Sequence, residues 1–167
     1  MGRKARRVTG GKEFSQLLSA IAGDTGIEVA RAGVYAGAGV LADAVKAEIR
    51  DLPEQEGYMV PGYLRNVVSS YDKHQLELHM GISHIYHDAD KASAYVGFSG
   101  YTDKPTKKYP NGVPVPLLAR SIESGSSVRF KNAFVRRAYN KSKTAVQAAA
   151  VEAGQRALDE DIKKNGG

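Results

Sequence analysis

His84, His87, Asp88 and Asp90 form the one cluster of metal-ligand residue types in this sequence. On a strand, positions 84 and 87 project to opposite faces, and only a helical turn brings the two imidazoles together. A polar turn joining two strands fits the spacing better, so no metal site is expected. Gly33, Gly37 and Gly39 are not followed by Gly-Lys-Ser/Thr and fall inside an amphipathic pattern, so they do not build a phosphate loop. No serine stands in a Gly-x-Ser-x-Gly elbow, and Ser124 and Ser126 flank Gly125 as turn residues do. Glu152, Asp159 and Asp161 lie along an ordinary charged helix surface. The chain has no cysteine, which removes disulfides, thiolate ligands and thiol nucleophiles together. Neither catalytic residues nor a cofactor is expected, and the chemistry left is association.

The charges point the same way. The formal net charge is +6, and five basic residues precede the first acid, Glu13, among them Arg3, Lys4, Arg6 and Arg7. Lys104, Lys107 and Lys108 gather in one segment with Tyr101 and Tyr109. Clustered lysine and arginine suit a polyanion or an acidic protein, and tyrosine supplies contact area. No apolar run approaches the roughly 18 residues of a membrane span, and the basic start runs into Gly10, Gly11 and Lys12 rather than an apolar core. Neither membrane insertion nor a secretory signal is expected.

Positioning these groups falls to a small number of elements. Residues 1–11 read as a basic arm and residues 12–167 as one α+β domain, a size that a single core can support. Phe14, Leu17, Leu18 and Ile21 predict a short helix over 12–22. Ile27, Ala30, Val34, Ala38, Leu41, Val45 and Ile49 predict a long amphipathic helix, capped by Asp24 or Thr25 and ended before Pro53. Its internal glycines predict close approach of another element. Leu76, Leu78, Met80 and Ile82 alternate with polar residues, and Ala94, Val96 and Phe98 repeat the pattern, which predicts a small antiparallel sheet. Residues 99–116, rich in proline, glycine and lysine, predict a long loop that orders on a partner. From Phe134 onward an alanine-rich pattern predicts a C-terminal helix. Both helices are expected to pack on the sheet.

The order of these segments resembles the tail-completion, or head-tail joining, family of neck proteins from long-tailed bacteriophages. Three segments carry the resemblance: Pro61-Gly62-Tyr63-Leu64-Arg65 after the long helix, Ile122-Glu123-Ser124-Gly125-Ser126 after the sheet, and Ala133-Phe134-Val135-Arg136-Arg137-Ala138 opening the last helix. No threonine precedes Gly62, Ser124 replaces an aromatic, and Arg137 stands where the family has proline. The resemblance implies a structural virion protein, made in the host cytoplasm, that forms a ring with copies of itself, six by family. It implies contacts with a head connector or an adaptor or stopper protein, with the tail tube protein, and with DNA in the channel. Gly62, Leu64, Glu123, Gly125 and Phe134 would then shape the fold, while Arg3, Lys4, Arg6, Arg7, Lys104, Lys107 and Lys108 meet DNA or a partner and Tyr101 and Tyr109 line an interface. A small basic nucleic-acid-binding module is the alternative that the charge pattern supports.

Overall fold

The structure, a computed structural model, describes residues 24–54, 68–88, 91–127 and 129–165. The fold is α+β. Helix α1 spans Asp24–Arg50 and α2 Ser70–Leu78; strands β1 Met80–Ile82, β2 Tyr86–His87, β3 Ala92–Ser93 and β4 Val96–Phe98 follow; α3 Val115–Glu123 and α4 Phe134–Asn165 complete the described elements. These residues fall into two compact units, one of residues 24–37, 85–88, 91–94 and 145–165, the other of 38–54, 68–84, 95–127 and 129–144. The expected helix over 12–22, the basic arm and the Gly62 and Leu64 turn lie outside the described residues.

In the first unit β2 and β3 form an antiparallel pair, with Tyr86 opposite Ser93. Gly37 is buried there, and a methyl group added to it would stand 3.3 Å from the Val146 carbonyl oxygen. The predicted close approach is therefore found at Gly37, whereas Gly39 faces open space.

The second unit holds the main core. Val45 and Ile49 of α1, Leu52, Leu76, Met80, Val115 and Ile122 are buried together with Phe134 and Ala138. Burying each of the larger side chains contributes about 1.5–3 kcal/mol. Strand β1 pairs antiparallel with β4 in the register Met80 to Phe98, Gly81 to Gly97 and Ile82 to Val96. Phe98 reaches the core against Phe134, ring centroids 6.1 Å apart and planes tilted by 59°.

Two expectations need correction. Leu76 and Leu78 lie in α2, not in a strand, and only Met80 and Ile82 belong to β1. Residues two apart on a helix are about 200° apart, so burying Leu76 leaves Leu78 63% exposed and imitates strand alternation. The helix is launched by Ser69, whose hydroxyl accepts from the Asp72 backbone N–H at 3.0 Å. Helix α3 was not expected. Val115, Leu118, Ala119 and Ile122 occupy its buried face at helical spacing, and Pro116 sits in its first turn, where a missing N–H costs nothing.

Polar side chains fasten the helix ends. Lys73 of α2 donates to the Arg50 and Leu52 carbonyls at 2.7 and 3.2 Å, closing the C-terminus of α1. Glu123, among the residues expected to shape the fold, accepts from the backbone N–H groups of Val135 at 2.8 Å and Arg136 at 3.3 Å. Its carboxylate thus caps α4, where negative charge is favoured. Gly125 makes the reversal between α3 and that cap at φ +81°, a left-handed conformation that suits glycine.

Candidate partner-binding loop

Residues 99–114 of the segment expected to be a long loop that orders on a partner are closed by their own hydrogen bonds, and residues 115 and 116 of that segment begin α3. At the loop's stem Val115 N–H donates to the Gly100 carbonyl at 3.0 Å, and Thr102 N–H donates to the Val113 carbonyl at 2.9 Å. Val113 N–H donates back to Thr102 Oγ1 at 2.9 Å. Near the tip Thr106 and Tyr109 exchange backbone hydrogen bonds of 2.9 and 3.1 Å. This is a compact loop whose ends meet, a form that serves binding in many proteins.

Tyr71 of α2 ties the loop to the core unit. Its hydroxyl donates to Asp103 Oδ1 and accepts from Lys104 N–H at 3.2 Å. Burial, and next the Asp103 carboxylate, raise the phenol above its ordinary range, so Tyr71 remains a donor at neutral pH. The Lys104 ammonium lies 4.2 Å from the centre of the Tyr71 ring, and that of Lys108 lies 5.5 Å from the Tyr109 ring. Lys104, Lys107 and Lys108 are all exposed, Tyr101 is exposed, and Tyr109 is half-buried. The structure therefore presents the predicted basic and aromatic residues together, on one loop closed by hydrogen bonds.

Beneath the loop, α2 and α3 complete a cavity of about 350 Å³. Leu117, Leu118 and Val113 form its apolar wall, and Lys104, Thr106 and Arg129 stand among its polar lining. Arg129 is paired through Nη2 with Asp72, and both side chains are largely buried. Sequence reasoning missed Tyr71, Asp72 and Arg129. The spacing of Ser69 and Asp72, a cap followed three residues later by an acid, could have placed the first two on a helix.

Arg3, Lys4, Arg6 and Arg7 lie outside the described residues, as do Gly62 and Leu64. Glu123, Gly125 and Phe134 hold the α3–α4 connection and the core. Among the described residues, no group of three or more His, Cys, Asp or Glu could hold a metal ion. No helix among them is long and apolar enough to cross a membrane. No family model, curated protein or solved structure matches the chain.

The loop's geometry hangs on Gly112. Its φ is +92°, and a Cβ there would stand 1.9 Å from the Thr102 carbonyl oxygen. Gly112→Ala is expected to open the stem, because the clash is with backbone and the left-handed conformation itself costs about 1–2 kcal/mol. Limited proteolysis should then cut between residues 103 and 111 well before wild type is cut. Equal resistance in the two proteins would show that the stem is not what holds the loop.

Proposed function

We propose that this chain is a structural neck protein of a long-tailed bacteriophage, of the tail-completion or head-tail joining kind. It forms a ring with copies of itself, six by family resemblance, and joins a head connector or an adaptor or stopper protein to the tail tube protein. It works in the virion neck by association, without catalysis, cofactor or membrane. The order of long helix, strand pair and closing helix supports this reading, as do the three family-like segments. The observation that carries the association itself is the closed loop that holds Lys104, Lys107, Lys108 and Tyr101 ready at the surface. A preshaped loop loses little conformational entropy on binding, and its charge suits an acidic partner surface.

Replacing Lys104, Lys107 and Lys108 together with glutamate should block joining of heads to tails while the fold and the helical circular dichroism persist. Wild-type joining by that variant would overturn the loop's role, and a protein found monomeric inside purified virions would overturn the ring. Deleting residues 1–10 separates the arm: lost DNA retention with intact joining assigns Arg3, Lys4, Arg6 and Arg7 to DNA in the channel, and salt-sensitive loss of joining assigns them to a protein.

The exposed Lys107 and Lys108 beside Tyr109 also favour the second reading, a nucleic-acid-binding module. In that case the affinity for single-stranded DNA falls with salt, and removing the three loop lysines lowers the slope by about 0.7 for each phosphate they neutralise. A slope that does not change when these lysines are removed excludes the loop as a nucleic-acid site.

A further inference from the structure

The cavity under the loop has a chemistry of its own, independent of the neck reading. We infer that it binds a small organic acid with one carboxylate and an apolar body about the size of a substituted benzene ring.

Volume sets the body. A cavity of about 150 Å³ can hold benzene, and small-molecule sites run from about 300 Å³ upward. A volume of about 350 Å³, walled on one side by Val113, Leu117 and Leu118, takes a ring with a short substituent.

Charge sets the head group. Two cations, Lys104 and Arg129, line the cavity together with one carboxylate, Asp72. Arg129 and Asp72 neutralise each other. Lys104 is left as the unmatched charge: its ammonium rests on the Tyr71 ring and makes no ion pair among the described residues. The lining thus carries one positive charge in excess, which matches a carboxylate, whereas a doubly charged phosphate would leave one negative charge in excess.

Donors set the orientation. Thr106 Oγ1 accepts from Tyr109 N–H at 3.0 Å, which leaves the hydroxyl hydrogen to donate. Arg129 Nη1 is buried with no hydrogen-bond partner among the described residues, so the wall also holds a cationic donor without an acceptor. Ser121 Oγ is committed to the Leu118 carbonyl at 2.8 Å and belongs to the framework. A carboxylate beside Lys104 and Thr106, with its apolar end toward Leu117 and Leu118, uses what the wall offers.

The test is an amide NMR titration of the full chain with phenylacetate, phenylacetamide, phenethylamine and inorganic phosphate as probes. Phenylacetate is expected to saturate and to shift the amides of Lys104, Thr106, Val113 and Leu117, binding at least tenfold more tightly than the neutral amide. Lys104→Gln and Thr106→Val should each weaken phenylacetate severalfold, and Lys104→Arg should retain most of the affinity. The proposal fails if the amide, the amine or phosphate binds as well as phenylacetate, if the shifted amides lie outside the cavity, or if phenylacetate does not bind at millimolar concentration. The comparison of probes uses unmodified protein, so it decides the matter even where a variant fails to fold.

Discussion

Removing Arg137 and Lys141 together, as the double alanine variant, is expected to destabilise the protein by about 3–5 kcal/mol at neutral pH, more than removing the acid they share. Glu48 lies on the buried face of α1 with its side chain only 6% exposed, whereas Arg137 and Lys141 on α4 are 45% and 68% exposed. Arg137 Nε donates to Glu48 Oε2 at 2.8 Å, and Lys141 Nζ donates to Oε1. Deleting the bases leaves a buried carboxylate without its cations. Deleting the charge leaves two cations that already reach water, and the amide oxygen of Glu48→Gln still accepts from one of them, so this variant should cost about one charged hydrogen bond, about 1.5–3 kcal/mol. Chemical denaturation measures both, and the reverse order of costs would contradict the burial assigned to Glu48.

The pH dependence of the two proteins should differ in sign at this one group. Burial pushes the Glu48 carboxyl up, but hydrogen bonds from Lys141 and Arg137, and the charges of both, outweigh it and hold the group below its ordinary range. A carboxyl lowered in the folded state adds stability that is complete above its unfolded value, about 4.3, and is lost as pH falls through the lower folded value. Without the two bases only burial remains, the folded value rises above the unfolded one, and the penalty grows as pH rises. The deficit of the double variant should therefore be constant above that raised folded value and shrink as pH falls from it toward pH 3.

Phe134→Ala is the second large loss, about 3–5 kcal/mol, from the transfer of a fully buried ring and the cavity left behind. For a chain of this size each kcal/mol moves the melting temperature by about 2–4 °C, so a fall of about 6–20 °C is expected by calorimetry. Because the ring lies against Phe98, hydrogen exchange should quicken in β4 as well as at the start of α4. Unchanged protection of β4 would mean that Phe98 is held by other neighbours. Phe134→Leu, which keeps an apolar group in place, should cost clearly less.

How much of this is legible in the sequence depends on how far apart in the chain each interaction is. Helix α1 and the α4 start at Phe134 are legible because period and burial agree over several turns. Helix α2 imitates a strand because Leu76, Leu78, Met80 and Ile82 run from a helix into a strand without a break in the alternation. Helix α3 is hidden by Pro114 and Pro116, which signal a loop until the spacing of Val115, Leu118 and Ile122 is weighed. The loop's basic and aromatic content is legible, but its closure is not, since that depends on a hydroxyl, Thr102, meeting a backbone N–H across the stem. Nor can the cavity or the Glu48 cluster be foreseen: Asp72 and Arg129 are 57 positions apart, and Glu48 and Lys141 are 93 apart. No local pattern in the sequence links such pairs.

The loop's stem has an evolutionary consequence. Because Gly100 and Val115 are hydrogen-bonded to each other, the chain leaves β4 and enters α3 at nearly one place, and the residues between them form a cassette. Substitutions at the outward positions of that cassette, such as Lys107 and Lys108, do not reach the Phe134 and Ile49 core, so recognition can drift at little cost to folding. Gly112 and Thr102, which shape the cassette, are not free in the same way. A lineage could change its partner through a few exposed loop positions while every buried residue stayed as it is.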